Sequence, residues 1–188
     1  WFGDLMNTTE DAPDFLEVTA DHFMDAPRWK MRELDALMEK FPIIPHGLDL
    51  SLGTADGLGE VYLEKLADLI NKINPPYWSE HLAFTKAGGR ELGHLAPLPF
   101  SSEAIEVLAK NVEKTKQFTD LPLILENITY GMEMPGGEME EGTFIKEALE
   151  ASGCGWLLDV TNLYVNSVNH SHDPNDFMIG EKHDLKFI

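Results

Sequence analysis

Apolar residues along this chain alternate between two rhythms. Short runs near 15–19, 43–52, 77–84, 122–128 and 155–161 are apolar almost throughout and read as strands, and Leu185-Lys186-Phe187-Ile188 looks like the start of another. Between them, apolar residues recur three and four apart, the helical period. Residues 28–40 carry Met31, Leu34, Leu37 and Met38, and residues 60–73 carry Val61, Leu63, Leu66, Leu69, Ile70 and Ile73. Ser101-Ser102-Glu103 reads as a helix start, followed by a face of Ile105, Leu108, Val112 and Thr115 that runs on to Phe118. Residues 140–152 hold Phe144, Ile145 and Leu149, and Gly153 is a natural C-cap. Alternating strand and helix predicts an α/β fold with parallel strands and right-handed crossovers. No linker, repeat or change of composition divides the chain, so residues 1–188 read as a single domain. A complete (β/α)8 barrel takes about 250 residues, so the pattern predicts a partial TIM-like barrel with about five to six of its eight strands. The competing expectation is a smaller open sheet, complete as it stands.

The polar residues that close the runs suggest the chemistry. His46 closes 41–45, His81 closes 76–80, Glu126-Asn127 close 121–125, and Asp159 closes 155–158, with Asn162 three residues on. The earliest run leads to Asp21 and His22. In a parallel barrel the C-terminal strand ends converge on one face, so one ligand per strand end assembles a metal site. Gly47, following His46, reads as room for a metal, although a core histidine bonded to backbone would look the same. Glu80 and His81 point to opposite faces of a continuing strand, so only one lines the interior. His81 is taken as the ligand and Glu80 as a substrate contact or support. Glu126 follows an apolar run, and a buried carboxylate needs a cation, a metal or a hydrogen-bond donor; a structural salt bridge is the alternative. Asn serves hard cations through its oxygen, so His, Glu, Asp and Asn together suit iron or manganese better than structural zinc. Asn127, His94 in the Pro/Gly-marked stretch 93–99, and His170 in Asn169-His170-Ser171-His172-Asp173 are further candidates for substrate contact or support. Against the two histidines stands the commoner surface-loop reading.

Composition mostly excludes. A net charge of −19 argues against nucleic acid as a partner and is compatible with cations, though a solvated acidic surface gives the same number. No apolar run is long enough to span a membrane, and no basic segment precedes an apolar one as in a secretory signal. The first residue is Trp rather than Met, which leaves targeting open. A single cysteine, Cys154, permits no internal disulfide and suits a reducing cytoplasm; its setting reads as packing rather than as a nucleophile. There is no Gly-rich phosphate loop, and Ser51 and Ser79 lack the G-x-S-x-G setting of a serine hydrolase.

Six stretches in order, 45–53 (PHGLDLSLG), 79–84 (SEHLAF), 93–100 (GHLAPLPF), 125–128 (LENI), 153–164 (GCGWLLDVTNLY) and 169–174 (NHSHDP), resemble the multinuclear non-heme iron oxidative enzymes. That family includes the methanobactin-biosynthesis oxidase. The resemblance runs from about Asp14 to the end of the chain. It implies a TIM-like barrel of the xylose-isomerase-like superfamily with two or three irons at its mouth. His46 and His81 match the family's histidine ligands, Glu126 a carboxylate that bridges two irons, and Asp159 with Asn162 the pair after the later strand. Members use iron and dioxygen to rework cysteine, and sometimes other residues, of ribosomally made peptides, and a partner protein often recruits the precursor peptide. The resemblance also places an opening strand before this chain, and further strands and ligands after it. These 188 residues alone are therefore expected to bind metal weakly and to be inactive. A metal-dependent sugar isomerase, epimerase or hydrolase on the same barrel, or a binding scaffold without chemistry, are the other readings.

Overall fold

The computed structural model describes residues 2–8 and 12–174. In chain order its elements are α1 (Phe2–Asn7), β1 (Leu16–Thr19), α2 (Asp21–Met24), α3 (Arg28–Met38), β2 (Ile43–His46), α4 (Glu60–Ile73) and β3 (Trp78–His81). There follow β4 (Phe84–Ala87), β5 (Arg90–Ala96), α5 (Ser102–Thr115), β6 (Leu123–Glu126), α6 (Glu141–Ser152), β7 (Gly155–Leu157) and α7 (Val160–His170). Five strands form a parallel sheet in the order β1-β2-β3-β6-β7, and β4 pairs with β5 in a separate antiparallel hairpin.

The central strands share one pattern. In β2 (IIPH), β3 (WSEH) and β6 (LILE) three buried residues are followed by a half-buried last one: His46, His81 and Glu126. Apolar residues hold these strands inside the core, and the polar ending stops each run at the same level of the sheet. His46 lies opposite Ser79 in the register, and His81 opposite Glu126. Around the sheet, α4 buries Leu63, Leu66, Leu69, Ile70 and Ile73 while Val61 stays exposed. Helix α5 starts where the Ala104 N–H donates to Ser101 Oγ, as its sequence predicts, and packs against α6. Leu34, Leu37, Leu66, Ile70, Trp78, Leu108, Leu125 and Phe144 are all but fully buried members of the core.

Three stretches depart from the sequence expectation. The strand read over 43–52 stops at His46; Leu50 and Leu52 are buried from a loop in which Ser51 adopts φ 64 and its Oγ accepts the Thr85 and Lys86 N–H groups. The strand read over 77–84 stops at His81, and the Pro/Gly-marked stretch 93–99 begins inside β5, which pairs with β4 in a hairpin turned at Gly88-Gly89 with φ of 59 and 70. The run read as strand over 155–161 switches to helix α7 at Asp159. Helix α7 is tied to the loop after β6 by Asn166, which is wholly buried. Its Oδ1 accepts the Tyr130 N–H and its Nδ2 donates to the Ile128 carbonyl. The strand start expected at 185–188 lies outside the described residues.

Candidate metal centre

Three adjacent strand ends bring His46, His81 and Glu126 together, with side chains only 12%, 11% and 14% exposed. The two Nε2 atoms stand 3.2 Å apart, and Glu126 Oε2 lies 3.5 Å from His46 Nε2 and 4.0 Å from His81 Nε2. Two atoms that share one ion through bonds of about 2.1 Å lie no more than about 4.2 Å apart, so these spacings fit a common cation.

The opposite ring nitrogens are anchored. His46 Nδ1 is 2.7 Å from Ser79 Oγ, and His81 Nδ1 is 3.3 Å from Glu80 Oε1. A carboxylate only accepts, so His81 donates from Nδ1 and turns the Nε2 lone pair towards His46. With Ser79 taking the Nδ1 proton of His46, two lone pairs and a carboxylate face one point. That arrangement calls for a proton or a metal ion between them.

Electrostatics agrees. Burial, reinforced by His81 and only partly offset by Asp21, lowers His46 to about 4, so it is neutral near pH 7, as a ligand must be. Burial also works to lower His81, but its hydrogen bond to Glu80 and the charges of Glu80 and Glu126 outweigh it and raise its pKa. Burial raises Glu126 to about 7 against the opposing pull of His81, with Asp159, Glu17 and Glu80 adding repulsion. Crowded carboxylates around two imidazoles make this end of the sheet a cation-seeking pocket.

Asp159 and Asn162 stand one strand further on, with their polar atoms engaged. Asp159 caps α7: its Oδ1 accepts the Asn162 N–H at 2.8 Å. Asn127 brackets the Asp159 backbone, taking its N–H at 2.9 Å and giving Nδ2–H to its carbonyl at 3.0 Å. Asn162 Nδ2 donates to the Asn127 carbonyl, and its Oδ1 accepts from Thr129 Oγ. Among the described residues, the group whose ligand atoms all lie within 4.8 Å of one another is His46, His81 and Glu126.

The remaining candidates scatter. His94 is exposed on β5, its Nδ1 bonded to the Leu92 carbonyl at 3.0 Å, rather than on a loop over the site. His170 ends α7, stacks on Tyr130 with centroids 4.5 Å apart, and bonds the Tyr130 carbonyl at 3.2 Å. It borders a cavity of about 520 Å³ with Phe100, Glu133, Glu141 and His172, and that lining does not include the three strand-end residues. His22 is exposed, whereas Asp21 supports the turn after His46 by accepting the Leu48 N–H and the Tyr62 hydroxyl. Burial pushes the Cys154 thiol up, as suits packing. Ser79 escaped the sequence reading, which weighed it only as a nucleophile; its place two residues before His81 was the available signal. The reading of Gly47 needs correcting. A Cβ there would collide with the Glu80 carboxylate, so the space serves Glu80 and not a metal. The Glu80 carboxylate returns to His81 through Oε1 and reaches the Leu50 N–H through Oε2.

A family model described as "RiPP precursor modification enzyme MbnB/TglH/ChrH" matches residues 2–184. UPF0276 proteins of Shewanella sediminis, Acinetobacter baylyi and Caulobacter vibrioides are 35%, 34% and 33% identical to this chain over 93%, 94% and 88% of its length. Those matches cover 62%, 61% and 59% of the relatives, so the chain spans about three fifths of their length. Among solved structures, 3-keto-D-glucoside 4-epimerase YcjR from E. coli aligns with a TM-score of 0.57 at 11% identity, over 93% of this chain and 67% of that one. D-Psicose 3-epimerase from Clostridium cellulolyticum aligns with a TM-score of 0.52 at 12% identity, over 81% and 55%. At such identity the likeness speaks for the fold alone: the chain has an α/β TIM-barrel-like architecture, five parallel strands of it among the described residues.

Proposed function

This chain belongs to the MbnB/TglH/ChrH family of RiPP precursor modification enzymes, and from that footing we propose that it supplies part of the ligand set of an iron-dependent oxidoreductase. The enzyme reworks a residue, typically a cysteine, of a ribosomally made precursor peptide with dioxygen. The observation that carries this reading is the convergence of His46, His81 and Glu126 at three neighbouring strand ends.

His46 and His81 would hold iron through Nε2, and Glu126 through its carboxylate. Asp159 commits Oδ1 to the helix cap, leaving Oδ2, with Asn162 beside it, for a second or third ion. Bound iron supplies an open position for a soft thiolate and the electron transfer that dioxygen chemistry requires. The chain's own residues do the rest. His46 arrives neutral, so it needs to lose no proton. Glu126, with its pKa near 7, is part-protonated in the metal-free protein and must release that proton to the solvent as a cation binds. Metal affinity should therefore fall as pH drops through about 7, which titrations at stepped pH will read. The buried strand residues beneath the ligands exclude water from that side of the site. The precursor peptide is the substrate, a recruiting protein is its expected companion, and the reading places both with the enzyme in the cytoplasm. Among the described residues no helix is long and apolar enough to cross a membrane.

The test is metal content and the near-ultraviolet and visible spectrum of anaerobically purified protein, carried through to the length of its relatives. Two or three irons per chain and an absorption change on adding a cysteine-containing peptide are the expected result. Stoichiometric zinc, manganese or magnesium without a redox response would replace the proposal with a metal-dependent isomerase, epimerase or hydrolase. No bound metal would leave a binding scaffold.

A further inference from the structure

We propose that Glu80 is a positioning residue that fixes which ring nitrogen His81 presents to the metal, and that Gly47 lacks a side chain in order to seat it. The inference rests on the metal-centre reading and extends it to residues that need not touch the ion.

Strand alternation puts Glu80 on the face opposite His81, where a carboxylate would meet the core. It is 1% exposed, a costly place for a group that carries charge. What makes the burial tolerable is a set of donors around the site. Glu80 Oε1 accepts the His81 backbone N–H at 2.7 Å and lies 3.3 Å from His81 Nδ1, while Oε2 accepts the Leu50 N–H at 3.3 Å. The carboxylate thus touches both the ring of His81 and the loop that follows His46.

Gly47 is the complement to this seat. Its φ is not among the positive values in the chain, so the position does not use glycine's conformational freedom. What it uses is the missing Cβ, whose place is taken by Glu80 Oε2. Ser79, itself fully buried, completes the device on the neighbouring strand: it lies opposite His46 in the register and holds that ring's Nδ1 at 2.7 Å. The tripeptide Ser79-Glu80-His81 therefore orients two imidazoles on two strands, turning each Nε2 towards the common point. A ligating imidazole whose other nitrogen is held by a carboxylate has its tautomer fixed and its basicity raised.

Three variants separate positioning from mere support of the fold, read by anaerobic Fe(II) and Co(II) affinity, thermal midpoint, and long-range proton–nitrogen NMR of the histidine rings. Glu80→Gln, which keeps the shape, should weaken Co(II) binding about 10- to 100-fold. Gly47→Ala, which displaces the carboxylate, should lose a similar factor and also lower the thermal midpoint. Gly47→Ala combined with Glu80→Ala removes the collision, so the midpoint should recover while affinity stays low. Affinity that returned together with the midpoint would mean that Glu80 only fills space, and wild-type affinity in Glu80→Gln would overturn the inference outright. The NMR decides the matter even without metal. In alkaline solution, where the ring is neutral, His81 of the wild type should carry its proton on Nδ1, and Glu80→Gln should lose that preference; an unchanged tautomer refutes the role. Wild-type protein that binds neither ion would overturn the metal-centre reading instead, leaving the tautomer result to judge this one.

Discussion

At the ends of β2, β3 and β6, His46, His81 and Glu126 turn three donor atoms towards one another, whereas one strand further on Asp159, Asn162 and Asn127 turn theirs into hydrogen bonds. Both sets are metal-capable residues at strand ends. In the second set the donors and acceptors match, and the result is a clamp between β6 and α7. In the first, two ring nitrogens and a carboxylate crowd one point, and a proton or a cation must lie between them. The unmatched cluster is the one we propose as the first ion's site; the second set meets its own hydrogen bonds and keeps only Asp159 Oδ2 for a further ion.

The contrast is broken most directly at Glu126. Glu126→Gln should cost metal affinity more than the about 100-fold ceiling typical of a supporting residue, measured by anaerobic Fe(II) titration. It should not lower the stability of the metal-free fold, and near neutral pH should raise it, because burial disfavours the charge that the substitution removes. A loss of stability without a loss of affinity would swap the roles of the two regions.

Acidity sharpens the same contrast. Glu126 is raised from 4.5 to about 7, so its stabilisation is present at low pH and is lost as pH rises through 7. His46 is lowered from 6.5 to about 4, so stability is lost as pH falls from 6.5 towards 4. The two slopes oppose each other between 4.5 and 6.5, so the contributions of these two residues nearly cancel there. Glu126→Gln removes the Glu126 slope, so denaturant melts should show the variant losing about 3 kcal/mol relative to wild type on acidification from pH 7 to 4.5.

The clamp answers to a different measurement. Asn127→Ala strips the Asp159 N–H of its partner and leaves the Asp159 carbonyl only the Leu163 N–H, which should cost about 1–3 kcal/mol in urea unfolding, with the first metal ion still bound at near wild-type affinity. An effect on that ion as large as that of Glu126→Gln would join the two regions into one site. His94→Ala, outside both, should change stability by less than about 0.5 kcal/mol and leave metal affinity unaltered.

The sequence made the first region legible and the second only half so. Three buried residues and a polar ending recur in β2, β3 and β6, and such a pattern is local, so His46, His81 and Glu126 could be named from it. The helix read over 60–73 matches α4 end to end for the same reason. Helix α7 was hidden because its period points outwards: Val160, Tyr164 and Val168 are 65%, 61% and 62% exposed, so the apolar stripe that normally marks a buried face is on the surface. The apolar GWLL of 155–158 then carried the strand reading past its true end. Gly47 was noticed and misread, since only the packed structure shows that its neighbour in space is Glu80. Ser79 needed the register with His46, a relation between residues 33 apart that no local pattern encodes.

Asn166 gives the stretch from Ile128 to Tyr130 something no strand provides there. With its amide accepting from one backbone group and donating to another, a single side chain plays the part of a neighbouring strand. The Tyr130 amide, formally in a loop, is thus closed to solvent for as long as α7 stays folded. Its hydrogen exchange belongs to the clock of that helix rather than to the fast clock of loops, and the backbone just beyond Glu126 inherits the lifetime of an element that begins 34 residues after it in the chain.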